Sequence, residues 1–591
     1  MNSIKYFYLS LFLVPLIYTN RIIDINILHA LLLSVIILFI AILYYKEKSF
    51  EVQIPIMAVY LPVLFSGILI LSGLINGYSF QIQPYISLIA TITVMVFIFS
   101  FNQDTGNRLQ ESLINCASVV TLIFSVIGLL QIVKPDIFDF RETLRLGSTL
   151  NLRNSAAEFL SLAIPLIFFK LLTTANKWKY VYTLSFFICL SYLITLRTRS
   201  AMLVCFILCL LILSVSITTF RTELKVRFSF SYVVLCLIGI IFIVYTSALY
   251  TDSERENLGD SIIKTFDLSD GPGIGRIHYF KSVSEILIDH PVIGTGPGSF
   301  YSNFRKYNLY MSNDDYLRNN NDINPHSVFL HIANDSGITG LTLIALAIFV
   351  FVIKIRRDVK FTFFNFVLIS VFAGSIIIMS VSFAYMNLAF MILFSFIAGR
   401  LISQFRVKKV LPKVYSTLIL IILALFSIII NSGRFYSEQN YLKALTTRDS
   451  NLSSIYFNRI FESVYPVDPN QIPPGHYQTS RLIAKGDLQS ALNIAIRARK
   501  IQPYYAPIWN NIGTINFMLG EKQVAIVEFD KIMNTFRNYI EPQINLMLLY
   551  YNSGEILKAK EVFFRISNKN ELVSEASNYD NYLKLKSIFD D

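Results

Sequence analysis

The sequence predicts an all-α membrane protein, in which a polytopic bundle of about 12–13 transmembrane helices precedes a soluble α-helical domain. Three observations predict this fold class. Of the 591 residues, 54% are hydrophobic and only 15% are charged, whereas a soluble domain has about 25% charged residues. Long apolar runs recur from Ser3 to Ile430. After Asn431 the composition becomes that of a soluble domain, and small residues recur there at a fixed interval.

The membrane part divides into about thirteen spans, because a helix needs roughly 20 apolar residues to cross the hydrocarbon core of a bilayer. Only residues 196–199 separate the seventh span from the eighth, so the boundary between these two is the least distinct. The predicted spans cover residues 4–19, 25–45, 54–75, 84–101, 113–133, 155–173, 179–196, 200–219, 229–249, 327–353, 361–380, 384–402 and 414–431.

Basic residues distinguish the two sides of the membrane. They follow spans two, six, eight, ten and twelve, which all end on one side, and the positive-inside rule makes that side cytoplasmic. The loop of residues 250–326 and the C-terminal domain then lie outside, in the periplasm of a bacterium, and the chain is a multi-pass protein of the inner (cytoplasmic) membrane. The basic residues are Lys46, Lys48, Lys177, Lys179, Arg221, Lys225, Arg227, Lys354, Arg356, Arg357, Lys360, Arg406, Lys408, Lys409 and Lys413.

Charge and composition also argue against several classes of partner. The net charge of +12 is carried mainly by these short loops, so nucleic acid is not a predicted partner. The apolar N-terminus has no small-residue cleavage site and is followed by Asn20-Arg21, which favours a retained first span over a signal peptide. The cysteines and histidines lack metal-ligand spacing, and the five-residue spacing of His326 and His331 suits one helix face poorly.

The outer loop of residues 250–326 contains the motifs that suggest chemistry. Gly294, Gly296 and Gly298 allow positive φ and close backbone approach. Such a turn either cradles an anion with its N–H groups or forms a tight corner.

His326 is the candidate catalytic residue. Asn324-Pro325 predicts that span ten begins at Pro325 or just after it, so that His326 lies in the first helical turn at the outer membrane boundary. The positive end of a helix favours a neutral imidazole, which can act as a general base. The alternative is a surface histidine with a hydrogen-bonding role.

Two arginines are candidates for binding an anionic substrate. Arg197 and Arg199 lie outside by topology, against the positive-inside bias, and such residues are costly unless they are paired or functional. Arg197 suits snorkelling to the interface, whereas Arg199 is the better candidate for facing inward. Arg276 lies on a predicted amphipathic segment over residues 274–289. Because a guanidinium can bind phosphate through two hydrogen bonds, Arg199, Arg276 and His326 together suit a lipid-diphosphate substrate.

The order of these motifs resembles the O-antigen ligase/polymerase superfamily of bacterial envelope glycosyltransferases, which also contains protein O-oligosaccharyltransferases. The resemblance covers roughly spans five to twelve. The sequence departs from the family at Ser327, where asparagine is usual, and at Ser200, where glycine is common. These two differences affect the expected contacts to the acceptor more than the expected diphosphate site. The matching pieces are Arg145-Leu146-Gly147-Ser148 with Asn151 and Asn154, Thr198-Arg199-Ser200-Ala201, Gly275-Arg276, residues 291–298, Pro325-His326 and residues 337–341.

The resemblance implies a GT-C-like transferase that needs no metal, nucleotide or other cofactor. Its donor would be a glycan on undecaprenyl diphosphate. Arg199 and Arg276 would bind the diphosphate, and His326 would deprotonate or orient the acceptor hydroxyl. Fixed cations beside a leaving group that gains charge favour the transition state over the ground state.

Small residues recur every 34 residues in the C-terminal region, at Gly486, Gly520 and Gly554 and at Ala491, Ala525 and Ala559. With Trp509-Asn510-Asn511-Ile512-Gly513, they resemble a tetratricopeptide repeat domain of stacked helix pairs. Such stacks usually bind a peptide or protein, so a periplasmic protein partner is predicted, with a structural appendage as the alternative. The predicted domains are a transmembrane glycan-transferase domain over 1–431, a connector over 432–474 and the repeats over 475–591.

Three acceptors fit the resemblance: a lipid A-core sugar for a ligase, a second lipid-linked glycan for a polymerase, and a serine or threonine for a protein O-oligosaccharyltransferase. The ligase is favoured as the commoner interpretation of the motifs, and the repeats raise the weight of a protein acceptor. Functions of another class are a lipid-linked glycan transporter and a non-enzymatic membrane scaffold. The sequence shows no duplicated membrane half of the kind common in transporters.

Overall fold

In the residues that it describes, the computed structural model consists of helices, turns and loops, with no strand. The described residues are 2–46, 56–78, 82–99, 106–134, 138, 147–225, 237–239, 241, 271–308, 324–406, 412–536, 539–567 and 578–589.

Nine of the described helices are long and apolar enough to cross a membrane, and three more are apolar but shorter. They account for every predicted span except the ninth, residues 229–249, which lies outside the described residues apart from 237–239 and 241. From the N-terminus to the last membrane helix, the α-helices are α1 (Asn2–Leu13), α2 (Ile25–Lys46), α3 (Ile56–Ile75), α4 (Ile82–Phe99), α5 (Gly106–Val133), α6 (Arg153–Thr173), α7 (Trp178–Leu196), α8 (Arg199–Thr218), α9 (Gly271–Asp289), α10 (Phe300–Asn308), α11 (Val328–Asp358), α12 (Phe363–Val381), α13 (Leu388–Ile402) and α14 (Lys413–Thr446).

The outer faces of these helices are apolar. On α14, Leu418, Ile422, Leu425 and Ile429 recur at helical spacing and are between 44% and 68% exposed. Phe206 on α8 is 62% exposed. Apolar stripes of this length need lipid to cover them, so the chain is a multi-pass membrane protein.

Polar side chains join three of the membrane helices. Ser427 of α14 lies 2.7 Å from the Ser34 hydroxyl of α2 and 2.8 Å from the Thr91 hydroxyl of α4. Asn431 donates to the Ser87 hydroxyl of α4 at 3.0 Å. Hydrogen bonds of this kind hold helices together where lipid removes the hydrophobic driving force.

The basic loops gather at one end of the bundle, here called the basic end. Lys170 of α6 pairs with Glu111 of α5 at 3.4 Å, and Arg400 of α13 donates to Gln110 at 2.8 Å. The Lys413 ammonium lies 5.0 Å from the ring centroid of Tyr44. The ends of spans two, six and twelve therefore share one end of the bundle with the start of span five, as the charge pattern predicts.

The opposite end, here called the polar end, is built from buried hydrogen bonds between loops. Thr149 donates to the carbonyl of Pro15 at 2.5 Å, and Asn151 donates to the carbonyl of Ile23 at 3.0 Å. The N–H of Leu388 donates to the Asn26 side chain at 3.2 Å.

The amphipathic segment predicted over residues 274–289 is confirmed as a helix, α9. Val283 and Ile286 are buried, as their spacing predicts, but Phe280 is 64% exposed. Through Tyr279 and Val283, α9 packs on Phe300 of α10 and Ala333 of α11. This small core fixes α9 and α10 against α11 at the polar end.

The last membrane helix does not end at residue 431. It continues to Thr446, and α15 (Ser450–Phe457) folds back along its end, where the Ser453 hydroxyl donates to the carbonyl of Ala444 at 2.8 Å. Glu438 accepts the N–H of Asp24 at 3.0 Å. The end of α14 beyond residue 431 and the helix α15 form a connecting hairpin. It packs on the connection between α1 and α2, and the shared buried core contains Ile22, Ile27, Tyr441, Ala444, Phe457 and Tyr465.

Three helix pairs follow this hairpin. Their turns contain Gly486, Gly520 and Gly554, with φ of 81°, 85° and 75°, and the alanines five residues later are fully buried. The 34-residue interval thus marks equivalent positions in successive pairs, while membership of the tetratricopeptide family stays a prediction. The helices are α16 (Pro474–Lys485), α17 (Leu488–Ile501), α18 (Ala506–Met518), α19 (Lys522–Thr535), α20 (Glu541–Asn552), α21 (Ile556–Ser567) and the final α22 (Tyr579–Phe589).

Candidate functional site

His326 lies at the polar end, directly before α11. Its backbone is left-handed, with φ of 49°, a region that histidine enters more readily than most residues with a side chain. The half-buried ring stacks on Tyr279 of α9 at 5.6 Å between centroids and meets Phe383 at 5.2 Å. Two aromatic rings from separate elements therefore set the direction of the imidazole.

The start of α11 differs from the prediction. The helix begins at Val328, and Ser327 is its N-cap, with a hydroxyl that accepts the Leu330 N–H at 3.5 Å. His326 is thus not in the first helical turn. Serine is among the strongest N-cap residues, so Ser327 delays the helix start beyond Pro325.

The helix α11 consists of two pieces joined at Gly337. This residue has φ of 63° and ψ of −159°, a combination open almost only to glycine. Residues 291–298 pack across the break and pair with the backbone groups that the helix leaves unbonded there. The bonds are Ile338 N to Pro291 O (2.9 Å), Thr339 N to Val292 O (3.1 Å), Thr295 N to Asn334 O (2.8 Å) and Gly296 N to Asp335 O (3.1 Å).

The three glycines of this segment adopt the positive φ that the sequence predicts, at 65° for Gly294, 103° for Gly296 and 72° for Gly298. The N–H of Gly298 points to the Asp335 carboxylate at 3.4 Å, and that of Gly296 to the Asp335 carbonyl. Since these donors face α11, the geometry is that of a tight corner rather than an anion cradle.

We expect Gly294→Ala to destabilise the folded protein by roughly 3 kcal/mol, because the substitution adds backbone strain to a steric clash. A Cβ there would lie 2.4 Å from the Asn334 carbonyl oxygen. Gly77→Ala is the matched control, since Gly77 has φ of 78° but nothing within 4 Å of its Cβ position. Thermal unfolding in detergent measures both, and equal losses in the two variants would contradict the close approach at Gly294.

A buried histidine–aspartate pair lies one turn beyond His326, and the sequence reasoning missed it. The Nε2 of His331 is 3.2 Å from the Asp335 carboxylate, and both side chains are only 4% exposed. The same nitrogen is 3.0 Å from the Tyr85 hydroxyl of α4, and Nδ1 contacts the Tyr385 hydroxyl. The available signal was the spacing of four residues, which puts His331 and Asp335 on one face of an otherwise apolar helix.

This pair joins the elements that surround His326. Asp335 receives the Asn334 side-chain amide at 2.7 Å and faces the glycine corner. His331 ties α11 to α4 and to the turn that contains both Phe383 and Tyr385. Because Phe383 contacts the His326 ring, the pair connects the surroundings of His326 to α4 and to α11.

Arg199 is the first residue of α8, after a left-handed turn at Arg197 with φ of 50°. The neighbouring Thr198 donates to Asn154 at 3.4 Å, which fixes this corner at the polar end. The Arg199 side chain is half-buried.

A buried carboxyl connects the Arg199 corner with the His326 side. Glu158 follows Asn154 by one turn on α6, is 2% exposed, and lies 3.4 Å from the Asn387 amide. It also hydrogen-bonds Ser382, the neighbour of Phe383. The described contacts thus lead from the Arg199 corner through α6 to the turn that packs on His326.

Arg276 lies on α9, but its side chain is outside the described residues. Its backbone is three residues before Tyr279, which stacks on His326, and residues at this spacing are neighbours on a helix surface. The structure therefore brings the backbone of Arg276 within one helical turn of the ring that holds His326.

A comparison with known families finds a match that covers this part of the chain. Residues 184–345 match the O-antigen ligase family. No curated protein matches the chain. The match supports the O-antigen ligase superfamily and a glycan transfer of the O-antigen ligase/polymerase type.

The matched O-antigen ligase domain contains Arg199, Arg276, the glycine corner, His326 and the His331–Asp335 pair. His331 of this domain contacts Tyr85 and Tyr385, which lie outside the matched range. The C-terminal helix pairs also lie outside it. The O-antigen ligase domain therefore depends on the surrounding membrane helices to complete its polar end.

The arrangement supplies an imidazole of fixed direction and a guanidinium at one end of a membrane bundle. Among the described residues, no group of three histidine, cysteine, aspartate or glutamate side chains is placed to hold a metal ion. An imidazole and a guanidinium are suited to proton transfer and to anion binding.

Proposed function

We propose that the protein transfers a glycan from undecaprenyl diphosphate to an acceptor hydroxyl on the periplasmic face of the inner membrane, with lipid A-core as the acceptor. The proposal is supported by the O-antigen ligase match over residues 184–345. It is also supported by the position of His326 and Arg199 at the polar end, opposite the basic loops.

In the proposed reaction, the His326 imidazole takes the proton of the acceptor hydroxyl. The acceptor oxygen forms a bond to the anomeric carbon, and the bond from that carbon to the diphosphate oxygen breaks. Undecaprenyl diphosphate leaves with the bonding electrons. Arg199 and Arg276 stabilise the charge that develops on it, which lowers the barrier because the interaction strengthens in the transition state.

The observation that carries the proposal is the fixed ring of His326 within the matched domain. Two rings from α9 and from the 382–387 turn hold it beside the helix that contains Arg276. An imidazole held in this way keeps its proton-accepting nitrogen in one position. General-base catalysis requires such a fixed position relative to the hydroxyl that loses its proton.

The acceptor is tested by offering purified protein a labelled lipid-linked glycan together with lipid A-core, unlabelled lipid-linked glycan and a periplasmic protein extract. Label on lipid A-core is the expected result. Label on the second lipid-linked glycan would identify a polymerase, and label on protein would identify a protein O-oligosaccharyltransferase. Absence of label from all three acceptors would contradict the proposed reaction.

A protein acceptor is the second candidate, because helix pairs of this kind bind peptides and the connecting hairpin attaches them to the polar end. The placement of the hairpin dictates where a deletion should begin. A chain cut after Ser432 loses the hairpin and exposes Ile22 and Ile27, each of which contributes about 1.5 kcal/mol by burial. A cut after Ile472 keeps the hairpin.

We expect the chain ending at Ile472 to unfold at nearly the temperature of the full chain, and the chain ending at Ser432 to unfold several degrees lower. Any change in transfer by the chain ending at Ile472 is then due to the loss of the helix pairs alone. If they dock a protein acceptor, transfer to protein falls in this truncation while transfer to lipid A-core persists. Undiminished transfer to protein would exclude the docking role.

A further inference from the structure

The helix α9 is apolar on two sides. Its inner side packs on α10 and α11 through Tyr279 and Val283. Its outer side carries Phe280 and Ile288, which are 64% and 78% exposed. Together with Ser284, these two residues recur every four positions and therefore lie on one side of the helix. An exposed apolar side of this kind is typical of a surface that binds a protein or a membrane.

The outer side of α9 continues onto an exposed apolar stripe of α11. The carbonyl of Val292, which follows α9, accepts the N–H of Thr339 at 3.1 Å. Val292 and the neighbouring Ile338 are 64% and 55% exposed. The stripe then continues along the membrane-spanning part of α11 through Leu346 and Phe349, which are 52% and 61% exposed. The outer side of α9 is thus continuous with a surface that lipid covers.

The length of α11 places this junction at the membrane boundary. Its second piece, residues 338–358, is about 30 Å long at the rise of an α-helix, and the hydrocarbon core of a bilayer is roughly 30 Å thick. Arg356 and Arg357 lie in the last turn of this piece, at the basic end. Ile338 at its other end therefore lies where the acyl chains meet the lipid phosphates, and the adjoining end of α9 lies at the same depth.

The polar groups on the outer side of α9 also suit this position. The Ser284 hydroxyl donates to the carbonyl of Phe280 at 2.8 Å, so it needs no water as an acceptor. Lys281 is exposed beside Phe280. A lysine on such a helix extends its ammonium to the lipid phosphates while its stem stays among the acyl chains. An apolar side flanked by a lysine is typical of helices that lie in the membrane interface.

We propose that α9 is an interfacial helix, whose outer side with Phe280, Ile288 and Val292 lies among the acyl chains of the leaflet at the polar end. The helix then lies along the membrane surface. This contact fixes the depth of Tyr279, which stacks on His326. The depth is that of a lipid diphosphate, so its use in catalysis rests on the proposed function, whereas the lipid contact itself does not.

The test is photo-crosslinking of the purified full-length protein in lipid nanodiscs. Benzoylphenylalanine, which reacts with nearby C–H groups on irradiation, replaces Phe280 or Ile288 in separate variants. Phe349, within the stripe of α11, is the positive control, and Leu557, which is 86% exposed on the third helix pair, is the negative control. We expect mass spectrometry to find lipid adducts at both α9 positions and at Phe349, and none at Leu557.

All four replaced side chains are exposed, so each variant should unfold at the temperature of the parent protein. Lipid adducts at neither α9 position, with the adduct at Phe349 present, would overturn the proposal. A crosslink from α9 to a second copy of the chain in place of lipid would also overturn it, because the outer side would then be a protein interface. Neither readout needs glycan transfer, so the lipid contact and the proposed function can fail separately.

Discussion

Replacement of His326 by asparagine is expected to lower the transfer rate by about 10²- to 10⁴-fold, the usual contribution of a general base. Asparagine tolerates the left-handed backbone at this position but cannot accept the proton of the acceptor hydroxyl. The measurement is the initial rate of label transfer by purified protein at saturating donor. A base that acts only in the reaction should change kcat much more than KM.

Two variants separate this chemistry from packing. His326→Phe keeps a ring between Tyr279 and Phe383, so it should abolish transfer while it lowers stability only by the roughly 1–2 kcal/mol that the left-handed backbone costs a bulky residue. His290→Ala removes a neighbouring half-buried histidine outside the site and should retain the wild-type rate. Full activity in both His326 variants would mean that the ring is only a packing element.

Asp335→Ala is expected to destabilise the protein by about 3–5 kcal/mol, since it removes the hydrogen-bond acceptor of several buried groups at once. The carboxylate is the acceptor for the Asn334 amide and the partner of His331 and of the Gly298 N–H. Its loss leaves three polar groups without that acceptor inside the bundle. Thermal unfolding in detergent measures the effect, and transfer should fall because the corner of residues 291–298 is no longer anchored to α11.

The matched control is Glu111→Ala, which breaks the Lys170–Glu111 pair at the basic end. Glu111 is 63% exposed, so this loss should cost at most about 0.5 kcal/mol. A double-mutant cycle between His331→Gln and Asp335→Asn should give a coupling well above that of the exposed pair. Additive effects in that cycle would show that the two side chains do not support each other.

Much of the membrane architecture could be predicted, because lipid imposes one simple requirement on every span. The short break at residues 196–199 was enough to separate two helices, which end at Leu196 and begin at Arg199. The positive φ of the three glycines could also be predicted, since it depends on local backbone geometry. The ninth span stays a prediction, because residues 229–249 are almost all outside the described part of the chain.

The end of α14 could not be read from hydropathy. Beyond residue 431 the helix no longer needs apolar residues for a bilayer. It continues to Thr446 because it buries Tyr441 and Ala444 against α15 and against the connection between α1 and α2. Contacts of this kind join residues that are hundreds of positions apart, so no local pattern reveals them.

The candidate site shows the same limit. His326 and Arg199 could be selected from local motifs and sidedness, and their roles stay predictions. The His331–Asp335 pair could not be recognised in the same way, because its contacts are with Tyr85 and Tyr385, which lie far away in the sequence. The helix start at Val328 was misjudged because the capping strength of Ser327 outweighed the proline before it.

The most direct test of the account is the release of undecaprenyl diphosphate by the purified wild-type protein, measured with and without lipid A-core as the acceptor. The account predicts that one undecaprenyl diphosphate appears for each glycan transferred, and that release depends on the acceptor. A protein that moves the lipid-linked glycan across the membrane, or only binds it, leaves the bond to the diphosphate intact. Wild-type protein that releases no undecaprenyl diphosphate with any acceptor would contradict the proposed transferase.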